Sequence, residues 1–506
     1  MVSPVHTPDA TELATDRTAP VHFQPVRGWV GDVIPFQRDG RVWLFYLLEV
    51  RDDTESGTGW ALVSTDNFVD YRDHGVVLPS GGRAAADFNC YTGSVVEDGG
   101  TVHLFYTGNN PDHLADDGIS PLQLVMHATA TAGLDAWQKH PSHTFAAPRG
   151  YDPADWRDPY VFRVHDGEPW RMLVSARHVD GPKRRRGVVA QLTSADLERW
   201  TVTEPFWDPR RYVAHECPDV FQEGDWWYLV YSEFSDAFTT RYRMSKSPNG
   251  PWLAPDHDTI DGRAFYASKS VAHAGRRFFV GWIATRAGDT DQGPWQWAGT
   301  MSVLESTQRE DGTLAFSLPP EVAASFSIPM PMKLPDVNSV DSPTASVRLV
   351  APDSYRALVG DVDLPQQFFA TVTIDIAAGT RECGVLLRSS DDGDEAYILR
   401  LEPLRSRLVF DRWPRKKTGS GQWEISGDCP FAVELERPCH LPPGKHVMEL
   451  LVDGSTCVAV VDRQVVLSAR TYDLRTGRLG IFVGDGAATF SPIAVFRRPG
   501  ISQPKP

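Results

Sequence analysis

One short apolar pattern returns five times in the N-terminal part of this sequence, and a chain built that way has few folds open to it. The copies are Val42-Trp43-Leu44-Phe45-Tyr46, Val102-His103-Leu104-Phe105-Tyr106, Trp170-Arg171-Met172-Leu173-Val174, Trp226-Trp227-Tyr228-Leu229-Val230 and Arg277-Phe278-Phe279-Val280-Gly281. They recur at intervals of roughly 50 to 70 residues, near the length of a four-stranded propeller blade. Each follows a shorter apolar strand and a turn such as Arg38-Asp39-Gly40, His165-Asp166-Gly167 or Glu223-Gly224-Asp225. Asp-Gly and Gly-Asp between apolar runs are hairpin signals. A third strand follows most copies, and several then enter an outer strand near Trp137, Trp200 or Trp252. The expected fold is all-β, a five-bladed β-propeller over residues 20–318.

The remainder of the chain changes character. Residues 1–19 are polar and read as an N-terminal tail with no secretory signal, which makes a cytoplasmic location the expectation. Residues 319–345, rich in proline, read as a linker. Residues 346–500 hold eight or so short alternating or apolar strands and read as an accessory β-sandwich. The 41 glycines and 39 prolines, beside 16 tryptophans, 14 tyrosines and 24 phenylalanines, fit short strands joined by tight turns. The formal charge of −16 disfavours nucleic acid and anionic lipid as partners, and no apolar run is long enough to span a membrane. Six scattered cysteines without a CxxC pair indicate neither a zinc site nor a dense disulfide framework.

Propellers act where their inner strands meet. Blade one starts Gly28-Trp29-Val30-Gly31-Asp32, blade three Asp155-Trp156-Arg157-Asp158-Pro159, and blade four Ala214-His215-Glu216-Cys217-Pro218-Asp219. Three blades thus begin on a carboxylate. The other two begin Tyr91-Thr92-Gly93-Ser94 and Phe265-Tyr266-Ala267. Converging carboxylates support glycoside hydrolysis, with one proton donor and one nucleophile or base, and could equally hold a divalent cation. The aromatic residues tilt the balance towards a sugar, whose apolar faces lie on Trp and Tyr rings.

At these residues the chain resembles glycoside hydrolase family 32, the invertase, levanase and inulinase group. Glu216-Cys217-Pro218-Asp219 is similar to the family's Glu-Cys-Pro-Asp motif, Trp156-Arg157-Asp158-Pro159 to its Arg-Asp-Pro motif, and Tyr91-Thr92-Gly93-Ser94 to its Phe-Ser-Gly-Ser segment. Phe265-Tyr266-Ala267, Gly281-Trp282 and Trp297-Ala298-Gly299 are similar to later landmarks. The resemblance implies a propeller followed by a sandwich, a retaining β-fructofuranosidase-type hydrolase, and no metal or other cofactor. Asp32 would be the nucleophile, Glu216 the acid and then the base, and Asp158 the transition-state stabiliser, with Trp29, Trp60, Tyr91, Thr92, Arg157, Tyr266 and Trp297 binding a small oligosaccharide. Retention requires the two working carboxyls ~5–5.5 Å apart. The sequence also departs from the family. Gly31 stands where the family has Asn, Ala264 where it has Asp, and Val458 where it has an acidic residue. These changes point to a divergent member acting on another furanoside or a modified fructoside. Three other readings share the site: a fructosyltransferase, an arabinofuranosidase- or xylosidase-type inverting hydrolase with carboxyls ~6.5–9.5 Å apart, and a non-catalytic sugar-binding protein.

Overall fold

The computed structural model describes residues 20–131, 133–335, 346–414 and 435–500. The sequence-predicted tail 1–19, Cys429 and the linker residues 336–345 lie outside them.

Five antiparallel sheets follow one another as the repeat predicts. Blade one runs Trp29–Arg38, Arg41–Glu49, Gly59–Thr65 and Arg72–Leu78; blade two Asn89–Asp98, Thr101–Leu114, Pro121–Ala130 and Gln138–Lys139. Blade three runs Tyr151–Phe162, Trp170–His178, Gly187–Ser194 and Thr201–Val202; blade five Phe265–His273, Arg276–Arg286, Trp295–Gln308 and Leu314–Ser317. Blade four has Glu216–Glu223, Trp226–Glu233 and Thr239–Ser245, with the bridges Met244↔Leu253 and Arg241↔Thr259 in place of a regular outer strand. Pro251 and Pro255 fall in that edge, and proline has no N–H for a ladder. The inner hairpins turn on pairs such as Asp39 (φ 53°) and Gly40 (φ 75°), or Ala274 (φ 49°) and Gly275 (φ 75°). Two successive left-handed residues make the tight turn whose twist matches the strands.

Aromatic and aliphatic side chains fill the wedges between blades. Phe45, Trp60 and Leu62 of blade one pack on Cys90, Leu104 and Tyr106 of blade two, and Phe162, Leu173 and Val189 of blade three pack on Val220, Trp227 and Leu229 of blade four. The ring closes where Val30 of blade one pairs with Gly299 of blade five.

In the sandwich the strand Arg478–Phe490 pairs with both Val347–Val359 and Glu382–Ser389, and at its end with Gln367–Ile376, so it joins the two layers. Val347–Val359 carries the turn-like Pro352-Asp353-Ser354, which hides it in the sequence; the strand survives because its register shifts between Ala351 and Tyr355. The described part of the proline-rich 319–345 stretch is packed and not extended loose chain. A short helix, Pro320–Ala324, buries Val322, and Ile328–Pro329 pairs with Ala494–Arg497. Proline suits both places, at a helix start and on a sheet edge.

The two domains share one apolar cluster, in which Phe265, Phe279 and Phe316 meet sandwich residues such as Val466 and Leu467. Arg470 of the sandwich is buried and donates to the carbonyls of Ile283 (2.6 Å) and Ala284 (2.9 Å) and to Thr300 Oγ1 (2.7 Å). Asp261 accepts from Ser468 N (3.0 Å) and Ser468 Oγ (2.6 Å).

Candidate active site

Every inner strand breaks its register at the same depth. In blade one Gly31-Asp32 lie between the paired residues Val30 and Val33. Asp158-Pro159 occupy that place in blade three, Cys217-Pro218 in blade four and Ala267-Ser268 in blade five; in blade two Thr92 is the extra residue. A bulge bends its strand and re-aims a side chain. Prolines 159 and 218 are tolerated there because a bulge position needs no ladder N–H. Asp158, Cys217 and Ala267 adopt left-handed conformations, at φ 58°, 52° and 53°. Such strain in non-glycine residues gathers at functional sites. The bulges refine the sequence expectation of equivalent carboxylates. Asp32 is the second residue of its bulge, Asp158 the first, and Glu216 immediately precedes its own, so one shared defect presents three different positions.

Asp32 keeps partial exposure and is held on both oxygens. Thr92 Oγ1 donates to Oδ2 at 2.5 Å and Trp282 Nε1 donates to Oδ1 at 3.0 Å. Burial pushes its carboxyl up from the ordinary range, the two hydrogen bonds pull it down, and Glu216 pushes it up again. Asp158 lies deeper and is almost fully covered. Its Oδ2 accepts the backbone N–H of Cys217 at 2.9 Å, and its own N–H donates to Thr107 Oγ1 at 2.8 Å. Burial raises it, Arg157 opposes, and Asp32 adds to the rise.

Glu216 is gripped from two sides. Arg157 donates to Oε1 from Nη2 (3.0 Å) and Nε (3.3 Å), and Tyr266 OH donates to Oε2 at 2.7 Å. Burial raises its carboxyl, Arg157 lowers it and Asp158 raises it. Arg157 is itself anchored by Asp155 (2.5 Å) and Gln123 (3.2 Å), and Tyr266 is stacked on Phe238 with ring centres 4.1 Å apart. His215, the neighbour of Glu216, points the other way along the strand into a cage of Trp207, Tyr212 and Tyr231, where burial lowers its imidazole to about 3.

Thr92, Arg157 and Tyr266, expected to bind sugar, are therefore the residues that hold Asp32 and Glu216. Trp60 is a correction. It is fully buried between blades one and two, its indole N–H spent on the carbonyl of Tyr91 (3.2 Å), so no sugar ring can lie on it. Tyr91 packs its ring against the same cluster. Trp297 is 37% exposed, and its six-membered ring rests on the Gly31 backbone: a Cβ there would lie 2.6 Å from Trp297 Cη2. It stands edge-on to Trp282, with centres 6.2 Å apart. Arg51 joins it to Trp29, donating to the Trp297 carbonyl (2.7 Å) with its guanidinium 5.1 Å over the Trp29 ring.

Sequence reasoning gave no role to Trp282 or Lys269. Nothing in the repeat shows that an indole on a second strand reaches the axis. Lys269 did leave a signal, as a cation in the otherwise apolar and small-residue stretch 265–272. It is 2% exposed, and its Nζ donates to the carbonyls of Gly93 (2.9 Å) and Pro218 (3.3 Å).

Three of the five bulged strands bring a carboxylate towards the axis, and the comparisons with known proteins agree with the fold. Residues 22–316 match the family model "Glycosyl hydrolases family 32 N-terminal domain", and the chain belongs to that family. It is 26% identical to the sucrose-6-phosphate hydrolase of Escherichia coli over 58% of its own length and 62% of the relative's. The chain thus spans less than two thirds of that relative. The sucrose-6-phosphate hydrolase of Zymomonas mobilis is 24% identical over 93% of this chain and 90% of the relative. In structure the chain is similar to the sucrose-6-phosphate hydrolase of Lactobacillus gasseri (TM-score 0.72, 17% identity, 97% of this chain and 94% of the other). It is also similar to the exo-inulinase of Aspergillus awamori (TM-score 0.70, 15% identity, 95% and 99%). Among the described residues no helix is long and apolar enough to cross a membrane.

Proposed function

We propose that this chain is a retaining glycoside hydrolase that releases terminal β-fructofuranosyl or related furanosyl groups from small oligosaccharides. The observation that carries this reading is the unlike treatment of two reachable carboxyls. Asp32 is fixed by neutral donors, Thr92 and Trp282, whereas Glu216 is clamped by the charged Arg157 and by Tyr266. That asymmetry suits one group to attack and the other to move protons.

In the first step Glu216 gives its proton to the glycosidic oxygen as Asp32 attacks the anomeric carbon. The carbon–oxygen bond breaks and the alcohol leaves, with the glycosyl group esterified to Asp32. In the second step Glu216, now a carboxylate, takes a proton from water. The water oxygen attacks the anomeric carbon and frees Asp32. Asp158 lies deeper than either Asp32 or Glu216, and in its ionised form it favours the cationic character of both transition states. Burial and Asp158 raise the Glu216 carboxyl, towards the protonated form the first step needs, while Arg157 opposes them and keeps the ionised form of the second step within reach.

The relatives named as sucrose-6-phosphate hydrolases set the substrate panel. Sucrose, sucrose 6-phosphate, inulin, levan and arabinofuranosides are incubated with the protein, and products are resolved with their anomeric form by NMR. The expected result is a free sugar released with retention. Asp32→Ala and Glu216→Gln should each reduce turnover by about 10³-fold or more while leaving the circular dichroism intact. Full activity in either variant, or an inverted product, overturns the assignment.

A further inference from the structure

Lys269 is a cation in an unusual place. Its strand belongs to blade five, yet its ammonium reaches the carbonyl of Gly93 in blade two and that of Pro218 in blade four. It also lies 5.3 Å over the ring of Tyr160 in blade three. The side chain thus crosses the propeller axis. Burying an ammonium is costly unless something nearby compensates. Two carbonyls and a ring face satisfy its hydrogen bonds without neutralising its charge, and no carboxylate lies within ion-pair distance of it among the described residues.

Its two acceptors place the ammonium beside the carboxylates: Gly93 follows Thr92, which donates to Asp32, and Pro218 follows Cys217, whose N–H donates to Asp158. Asp32 of blade one and Asp158 of blade three both feel the Lys269 charge, in the direction that favours their ionised forms. The other groups facing this space are Tyr160 and Arg157 on blade three, Glu216, Cys217 and Asp219 on blade four, and Tyr266 on blade five. Arg157 is engaged by Glu216 and Asp155, and Asp219 accepts the backbone N–H of Ser270 at 2.7 Å. Blade two offers Thr92, which donates to Asp32.

We propose that Lys269 is a positioning residue of the reaction, a fixed positive charge on the propeller axis that holds Asp32 and Asp158 ready as anions. The proposal rests on Asp32 being the nucleophile. It predicts that the acidic limb of kcat/KM belongs to Asp32 and depends on a residue that touches neither substrate nor Asp32.

The test compares wild type with Lys269→Gln, which can still donate to the carbonyls but is neutral, and Lys269→Met. Loss of the cation should move the acidic limb up by about one pH unit, with the alkaline limb moving less. A merely structural residue would lower activity at all pH values alike, and an unmoved acidic limb in a folded neutral variant overturns the proposal. Carboxyl ¹³C NMR of Asp32 reads the same shift without substrate. If it appears in a protein that hydrolyses no glycoside, the functional reading falls and the role of the cation stands. If neither neutral variant folds, Lys269→Arg decides: an acidic limb that stays in place with the cation kept supports the proposal, and a limb that rises although the charge is kept overturns it.

Discussion

Thr92→Val isolates a single bond of the site. Thr92 is almost fully buried, its hydroxyl donates to Asp32 Oδ2 at 2.5 Å, and its backbone carbonyl is separately held by Thr107 Oγ1 at 3.0 Å. Valine keeps the branched shape and that backbone bond, and removes only the donor. A hydrogen bond to a charged group contributes about 1.5–3 kcal/mol. At about 1.4 kcal/mol per pKa unit, its loss raises the Asp32 carboxyl by about one to two units beyond its already raised position. Trp282 still donates to Oδ1, which sets the lower end as the expected value. An Asp32 that attacks as proposed must be ionised, so kcat/KM should fall on the acid side and the acidic limb should move up by about one unit. The alkaline limb, assigned to Glu216, should stay in place, because Glu216 is held by Arg157 and Tyr266. The assay is a pH profile of kcat/KM on the best substrate of the panel, with thermal melting to confirm the fold. An acidic limb that stays, or moves down, refutes the assignment of that limb to Asp32.

Three other outcomes follow from the geometry. Gly31→Asn forces a side chain into the Trp297 ring and should raise KM at least about tenfold; Gly31→Asn with Trp297→Ala should recover part of the loss, and additive losses would show that the two residues do not share space. Trp60→Phe should lower unfolding stability by about 1–3 kcal/mol in denaturant melts, for lost volume and an unpaired Tyr91 carbonyl, with kcat/KM almost unchanged. Asp32→Asn should raise the thermal midpoint at neutral pH by roughly 1–3 °C, read by calorimetry. The sign follows from the raised carboxyl: its stability contribution is present below the unfolded pKa and is lost as pH rises through the folded one, so removing the charge restores it.

The repeat made the blades legible because each inner hairpin carries its own apolar run and turn dipeptide, both local signals. The sandwich strand Val347–Val359 was not legible, since its Pro352 and Asp353 read as a turn and only the long partner Arg478–Phe490 makes them a bulge. At the site, Asp32, Asp158 and Glu216 stood out because they recur at equivalent entry points of three blades, and because the segments around Asp158 and Glu216 are similar to family motifs. Their partners divided unevenly. Thr92, Arg157 and Tyr266 were singled out as sugar contacts, and the structure adds that they hold Asp32 and Glu216, a pairing that adjacency in sequence does not reveal. Trp282 reaches Asp32 across 250 positions of chain, and Trp60 sits in a wedge between blades. Only the closing of the ring decides which tryptophan faces the axis.

The Arg470 clamp bears on how such a chain can be divided. Its acceptors, the carbonyls of Ile283 and Ala284, directly follow Trp282, the residue whose indole fixes Asp32. The sandwich therefore grips the propeller one peptide away from the support of Asp32. A propeller severed from its sandwich would lose the Arg470 donors to both carbonyls and carry an uncovered apolar face at that spot. The two domains are in this respect one machine part, and exchanging the sandwich for an unrelated module would disturb the chemistry before it changed anything the module binds.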